Sequence, residues 1–325
     1  METRISAELK KKHYGIFGSA GTEICLWNKK SLRNEGVCYK EQFYGIPCHR
    51  CMQFSPLIKC NNNCVFCWRP TEIFHSGKTP GKIENPEKLI EKLIAERKQL
   101  LIGYGGYKKI NRKKFQEALK PCHFAISLIG EPTLYPKLPE LVRLLKQRKD
   151  FKTVFIVTNG QNPEMLLKLK KKKALPTQLY ISMNAPDKEL YEKICRPTAK
   201  DFWKNYLKSL KIMKDLNCRR VIRLTVIKGI NDDEKFMKDF AKIILMANPD
   251  FVEVKAYMFV GYSRQRLREE NMPLMTDIEK FSGKLLKFLK NFKLSDKCRL
   301  SRIVLLKNKK CEWAQKIKLA NWQKS

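Results

Sequence analysis

Cys60, Cys64 and Cys67 are separated by three and then two residues, with Asn61, Asn62 and Asn63 filling the first gap. Three thiolates in such a loop can each take one iron of a 4Fe-4S cubane and leave the fourth iron without a protein ligand. An iron with an open position can chelate a small molecule through amino and carboxylate groups. It can then pass that molecule one electron, which opens a stable bond to give a radical. The asparagines tolerate the turn conformations that wrapping a cluster demands. Zinc is the competing reading, but zinc motifs pair Cys-x2-Cys with a second pair, and the nearest further donor, His75, lies in a stretch with no defined pattern.

A second set lies upstream. Cys25, Cys38 and Cys51 are separated by two equal intervals of thirteen residues, with Cys48 three before the last. One arrangement joins all four in a zinc site with Cys48-His49-Arg50-Cys51 as its knuckle; the other places three of them on another iron-sulfur cluster. Seven of the twelve cysteines fall within 43 consecutive positions, a density that asks for metal. The start, Met1-Glu2-Thr3-Arg4, has no apolar signal core, so a reducing, cytoplasmic setting with free or metal-bound thiols is expected.

These loops need a frame. The first 54 residues are rich in turn formers (Gly15, Gly18, Gly21, Gly36, Gly45, Pro47) and read as a loop-rich, ligand-stapled N-terminal extension. From Ser55 short apolar runs alternate with amphipathic stretches, the pattern of repeated strand-helix units. Strands are expected at Pro56 to Lys59, Phe124 to Ile129, Val154 to Thr158, Leu179 to Met183, Arg220 to Ile227 and Phe251 to Tyr257. Helices are expected at Pro86 to Leu101, Asp233 to Met246 and Thr276 to Phe292. Six strands are too few for a complete eight-stranded barrel, so the fold class is α/β, a partial (βα)6 TIM-like barrel with its active groups at the carboxyl edge. The expected division is an extension over 1–54, a core over 55–260 and a helix/strand extension over 261–325 packing on the barrel.

Sixty-seven Lys and Arg against 32 Asp and Glu leave a net charge of +35, which repels itself unless a polyanion compensates. No apolar run is long enough to cross a bilayer, so a nucleic acid is the expected partner and a membrane is not. Leu167 to Lys173 is the densest basic run.

The three-cysteine loop with Phe66 before its last cysteine is identified as the signature of the radical S-adenosylmethionine (SAM) superfamily, which the chain resembles from residue 55 to about 260. The resemblance implies the barrel, SAM, and a 4Fe-4S cluster on Cys60, Cys64 and Cys67. It also places Gly130 and Glu131 in the family's Gly-Gly-Glu type motif, where Ile129 replaces the first glycine. Phe66, Thr158, Asn159, Ser182 and Asn184 are then expected around the cofactor. Taken singly, each Ser, Thr or Asn reads equally well as a cap or turn residue.

The Cys25/Cys38/Cys51 spacing, Trp68-Arg69-Pro70 and Ile129-Gly130-Glu131-Pro132-Thr133 resemble the tRNA 4-demethylwyosine synthase family more closely. That resemblance implies a second 4Fe-4S cluster on Cys25, Cys38 and Cys51, with Cys48 outside the set. It implies a lyase that condenses N1-methylguanosine, 3′ of the anticodon of tRNA-Phe, with two carbons of pyruvate. Lys40, two residues past Cys38, is the expected catalytic group, as a Schiff base with pyruvate or as a proton donor. Eukaryotic members carry a flavodoxin-like domain in front. This chain starts 24 residues before Cys25, so an external low-potential electron donor is expected. Trp68, Arg69, Tyr104 and Tyr107 are candidates to stack on a base or to meet phosphate near the barrel mouth. The alternatives are another radical SAM enzyme, a methylthiolase or a glycyl-radical activase, or a zinc-stapled RNA-binding protein without catalysis.

Overall fold

The computed structural model describes residues 4–71 and 82–318. His75 lies outside these residues. One ten-stranded sheet runs through the chain in the order β1-β2-β3-β4-β5-β6-β7-β8-β10-β9. Six strands are parallel and sequential: β3 (Cys51–Ser55), β4 (His123–Ile126), β5 (Thr153–Thr158), β6 (Gln178–Met183), β7 (Arg219–Val226) and β8 (Phe251–Ala256). They form the expected partial barrel. Antiparallel strands flank it: β1 (Tyr14–Phe17) and β2 (Ala20–Glu23) beside β3, and β10 (Ile303–Asn308) and β9 (Phe292–Cys298) beside β8.

The helices are α1 (Arg4–Lys11), α2 (Leu26–Leu32), α3 (Tyr39–Tyr44), α4 (Pro86–Gly105), α5 (Arg112–Ala118), α6 (Leu138–Gln147), α7 (Pro163–Lys171), α8 (Lys188–Cys195), α9 (Phe202–Met213), α10 (Met237–Ala247) and α11 (Met275–Phe288). Asn85 caps α4 by accepting the Lys88 N–H, and Pro86 fits the first turn, where no N–H is required.

Period-two alternation gives each strand two apolar faces. Met52, Phe54, Phe124, Ile126, Ile156, Leu179, Ile222 and Val252 join the main core beneath the helices. Ala125, Phe155, Tyr180, Val221 and Phe251 face inward and pack on Tyr39, Phe43 and Tyr44 of α3, which therefore fills the barrel interior. The Tyr44 carbonyl accepts the Ile317 N–H, and Arg219 donates to the carbonyls of Ala314 and Gln315, so the tail of the chain closes over the strand starts.

Two differences from expectation have clear causes. The first barrel strand is Cys51–Ser55 rather than Pro56 to Lys59, because Pro56 has no ladder N–H and the residues after it are held elsewhere. Ile58 donates to the Ser19 carbonyl, and the Lys59 carbonyl takes the Glu131 N–H. The segment before residue 54 is also more regular than its turn formers suggested, since its short elements close on the barrel rather than standing alone. The antiparallel strands β1, β2, β9 and β10 were not placed from the sequence; β1 and β2, four residues each and containing Gly15 and Gly21, carry little strand signal, and β9 alternates charge with apolar residues too weakly to stand out.

Candidate active site

The three-cysteine loop leaves the end of β3 and is stapled on both flanks. Asn63 and Val65 donate their N–H groups to the carbonyls of Cys195 and Ile194, and Thr198 donates to Asn61, tying the loop to the end of α8. From the segment after β8, Arg266 donates to the carbonyls of Val65 (3.2 Å) and Cys67 and to the Thr71 hydroxyl (3.0 Å). Burial pushes the Cys60 thiol well above its usual range; a hydrogen bond with Cys195, then burial, does the same for Cys64. Thiols this desolvated become thiolates only when a cation arrives, so metal uptake here must release protons.

The strand ends beyond the loop are locked by one carboxylate. Glu131 is buried; its Oε1 accepts the Thr133 N–H (3.0 Å), the Thr133 hydroxyl (2.7 Å) and the Thr158 hydroxyl (2.6 Å), while Oε2, among the described residues, accepts the Asn159 N–H (2.7 Å) alone. Burial raises its pKa against the pull of those donors. Oε2 keeps spare acceptor capacity, which suits an amino group. Asn159 Nδ2 donates to Asn61 Oδ1 at 2.7 Å, joining the end of β5 to the cysteine loop. Phe66 packs half-buried against the main core. Ser182 lies half-buried at the end of β6, its carbonyl accepting from Tyr206. Asn184 is buried; its amide donates to Cys195 Sγ at 3.4 Å. The buried side-chain oxygens of Asn62, Asn63 and Asn184 have no partner among the described residues. Such idle acceptors call for a polar ligand.

Gly130 sits at φ +80°, and a Cβ there would lie 2.5 Å from the Lys59 carbonyl and 2.8 Å from both the Leu57 carbonyl and the Lys59 nitrogen. Gly130→Ala should therefore push the exit of β3 aside. A loss of roughly 1–3 kcal/mol is expected from strain and overpacking, read as a lower unfolding midpoint together with reduced iron loading after reconstitution.

The upstream cysteines lie at the opposite end of β3. Cys25 precedes α2 and is bonded through its thiol and N–H to Asn28; Cys38 precedes α3; Cys51 opens β3. Asn28 Nδ2 also donates to the Cys51 carbonyl at 3.1 Å. Burial raises Cys25 to about 12, where the charges of Cys38 and Cys51 add to the effect, and burial raises Cys51 as well. Cys38 is instead held down at about 7, first by a hydrogen bond with Cys48 and then by Lys40 and Lys255. Cys48 is buried, takes the Cys38 N–H on its sulfur at 2.9 Å and donates its own N–H to Glu41. Thiolates bound to one zinc converge on a point about 2.3 Å from each. Among the described residues no three Cys, His, Asp or Glu side chains converge in this way. A cubane gives each thiolate its own iron, so its ligands stand further apart.

The barrel interior lies between the two sets. Lys40 Nζ lies 5.4 Å from the centre of the Phe155 ring and 5.8 Å from that of Tyr180. Phe155 is in register with Ala125 and, through it, with Gln53 of β3, so the amine stands above Cys51 and below the strand exit leading to Cys60. Around it is a buried polar network: Arg223 donates to Glu253 (2.9 Å) and to the Tyr39 hydroxyl (2.6 Å), and Tyr44 donates to Glu253 (2.7 Å). Lys255, next along β8, donates to the Ser301 carbonyl at 3.2 Å, and burial and then Arg223 pull its pKa down to about 8.

Sequence reasoning missed this lining. Its signal was present in Arg219 and Arg223, four apart on β7, and Glu253 and Lys255, two apart on β8, even spacings that put each pair on one face of a largely apolar strand. Three expected RNA contacts fall elsewhere. Arg69 is buried, bonded to Tyr14, to the Leu128 carbonyl (2.9 Å) and to Glu23 (2.8 Å), so it ties the cysteine loop to β1 and β2 rather than meeting phosphate. Tyr104 packs among Ile24, Leu32 and Ile110 at the far end of α4, and Tyr107, though exposed, follows it there, near Arg33. Only Trp68, 45% exposed beside Cys67, stands at the mouth.

A sequential parallel half-barrel with three cysteines behind its first strand and a buried carboxylate locking the next strand ends is the frame of a radical SAM protein. The Radical SAM superfamily model matches residues 54–241, and the Wyosine base formation model matches residues 246–308. Over 308 residues the chain is 46% identical to the S-adenosyl-L-methionine-dependent tRNA 4-demethylwyosine synthase of Pyrococcus abyssi, covering 94% of this chain and 89% of that protein. It is 41% identical to the Methanocaldococcus jannaschii protein of the same name, covering 92% and 94%. A solved structure of TYW1 with a lysine-pyruvate adduct bound superposes with a TM-score of 0.86 at 38% identity, covering 98% of this chain and 99% of that one. The chain belongs to the tRNA 4-demethylwyosine synthase family. With that membership come SAM and one 4Fe-4S cluster, which the three-thiol loop and the idle asparagine oxygens fit. No helix among the described residues is long and apolar enough to cross a membrane.

Proposed function

We propose that this protein converts N1-methylguanosine, 3′ of the anticodon of tRNA-Phe, into the tricyclic 4-demethylwyosine base, taking two carbons from pyruvate. The observation that carries this reading is the position of Lys40 in the lumen between two three-cysteine sets, in a chain of this family. When bound at Cys60, Cys64 and Cys67, the cluster with SAM supplies the hydrogen-abstracting radical that an unactivated N-methyl group requires. A second 4Fe-4S cluster at Cys25, Cys38 and Cys51 would supply an open iron as a Lewis acid for pyruvate.

The chain's own residues do the rest. Glu131 Oε2 and the free oxygens of Asn62, Asn63 and Asn184 hold the polar groups of SAM, with Gly130, Thr158, Asn159, Ser182 and Phe66 shaping its pocket. The Lys40 amine attacks the keto carbon of pyruvate and loses water to give an imine, which fixes the two transferred carbons beneath the methyl group. The lysine-pyruvate adduct in the TYW1 structure supports that chemistry in a relative. Arg223, Glu253 and Tyr39 hold the floor of the lumen. Cys48 is read as a support that orients Cys38 rather than as a ligand. The three sequence segments divide the work accordingly: 1–54 brings Lys40 and the second cysteine set, 55–260 the SAM site, and 261–325 the Arg266 clamp and the closing tail. An external low-potential donor supplies the electron.

Nucleoside mass spectrometry after incubating the reduced protein with SAM, pyruvate and tRNA carrying N1-methylguanosine is the direct test. A mass gain on that nucleoside, dependent on all three, is expected; an unchanged nucleoside would refute the reading. With a charge of +35, tRNA affinity should also fall at least tenfold between about 50 and 200 mM salt as phosphate contacts release counterions. Filter binding across that range checks it.

A further inference from the structure

Arg97 occupies a place where the pattern calls for an apolar side chain. It lies on α4 in the buried series Leu89, Leu93, Arg97, Leu101, and none of its surface reaches solvent. One amino group, NH2, donates to the His49 carbonyl at 3.1 Å, while Nε and NH1 have no hydrogen-bond partner among the described residues. A guanidinium keeps its charge in proteins and offers five N–H donors in a fixed fork. Burying one with two nitrogens idle is unfavourable unless an anion completes the site. Burial pulls its pKa down to about 10, and the charges that oppose this belong to Cys51 and Cys25. Asn28 bonds Cys25 on one side and the Cys51 carbonyl on the other, holding those two cysteines together. The His49 carbonyl, two residues before Cys51, and the charges of Cys51 and Cys25 put Arg97 beside the second cysteine set.

We infer that Arg97 is the hydrogen-bonding counter-ion of an iron-sulfur cluster held by Cys25, Cys38 and Cys51, donating Nε–H and NH1 to its sulfurs and setting its reduction potential. The inference rests on the second-cluster reading above. A one-electron-reduced cluster carries one more negative charge than the oxidised one, so a buried cation with N–H···S bonds favours the reduced form and raises the potential. Arg97 is a positioning residue here, and its signature is electrochemical.

The test uses the full chain with Cys60, Cys64 and Cys67 all changed to Ala, so that only the second set can bind iron. After anaerobic reconstitution, iron and sulfide are counted and the cluster is titrated with a reductant under EPR. About four irons are expected. Arg97→Gln should lower the reduced-to-oxidised ratio at a fixed potential about tenfold, or about 59 mV for one electron. Arg97→Lys, which keeps the charge and loses the fork, should show a smaller shift in the same direction. Unmoved potentials in both variants with iron retained would overturn the assignment. If Arg97→Gln sheds its iron, the Lys variant decides alone: a lowered potential supports the role and an unchanged one defeats it. Absence of iron and sulfide from the parent triple variant would defeat the second-cluster reading, and the role of Arg97 with it.

Discussion

Lys40→Ala is expected to lower formation of the tricyclic base by more than about 10³-fold while reductive cleavage of SAM continues. The two activities separate because they depend on different ends of the lumen. Glu131, Asn159 and the cysteine loop lie beyond the end of β3, whereas Lys40 projects from α3 against Phe155 and Tyr180. Lys40→Arg separates covalent from electrostatic roles, since a guanidinium keeps the charge near Cys38 but forms no imine; it should be as inactive as the alanine variant. Lys255 is the alternative nucleophile, with its pKa already pulled down to about 8. Incubation with pyruvate and cyanoborohydride followed by peptide mapping chooses between them: the adduct is expected on Lys40, and a label on Lys255 would reassign the chemistry.

The second large effect is a contrast between Cys60→Ala and Cys51→Ala. Both should abolish the tricyclic product, with each variant keeping about four irons of an original eight. Only Cys60→Ala should lose SAM cleavage, because its thiol belongs to the loop proposed to face SAM, whereas Cys51 lies at the other end of β3. Iron counting with 5′-deoxyadenosine measured by chromatography resolves the pair. If Cys51→Ala kept all its iron, Cys48 would be the ligand in its place. That outcome would contradict a thiol already occupied with the Cys38 N–H.

The chemistry of the chain was more legible than its architecture at the edges. Thiols at fixed spacing and a glycine before an acid are local patterns, so Cys60, Cys64, Cys67, Gly130 and Glu131 could be proposed as a site from sequence alone. Five of the six parallel strands were visible because strands covered on both faces are dense in β-branched and aromatic residues. The first was displaced to Pro56 because Cys51 to Ser55 reads Cys-Met-Gln-Phe-Ser, a strand made apolar by its surroundings rather than by its composition. The lumen network was hidden for a different reason. Arg223 and Glu253 lie far apart in sequence and become partners only through the pairing of β7 with β8. Tyr104 and Tyr107 were misplaced because α4 carries its last turn to the end of the barrel away from the cysteine loop, a matter of helix length and direction.

Among the described residues, α3 and the 314–317 segment cover the strand starts, which puts the approach to Lys40 at the strand ends. On the proposed chemistry this would make traffic sequential: pyruvate would be seated on Lys40 before the tRNA covers the entrance, and the finished nucleoside would leave before the next acid enters. Steady-state kinetics should show this compulsory order as substrate inhibition by tRNA that rising pyruvate relieves. Under the same proposal the stopper would keep bulk water from the far side of the reacting carbon, and the covering RNA would complete the enclosure that protects a short-lived radical.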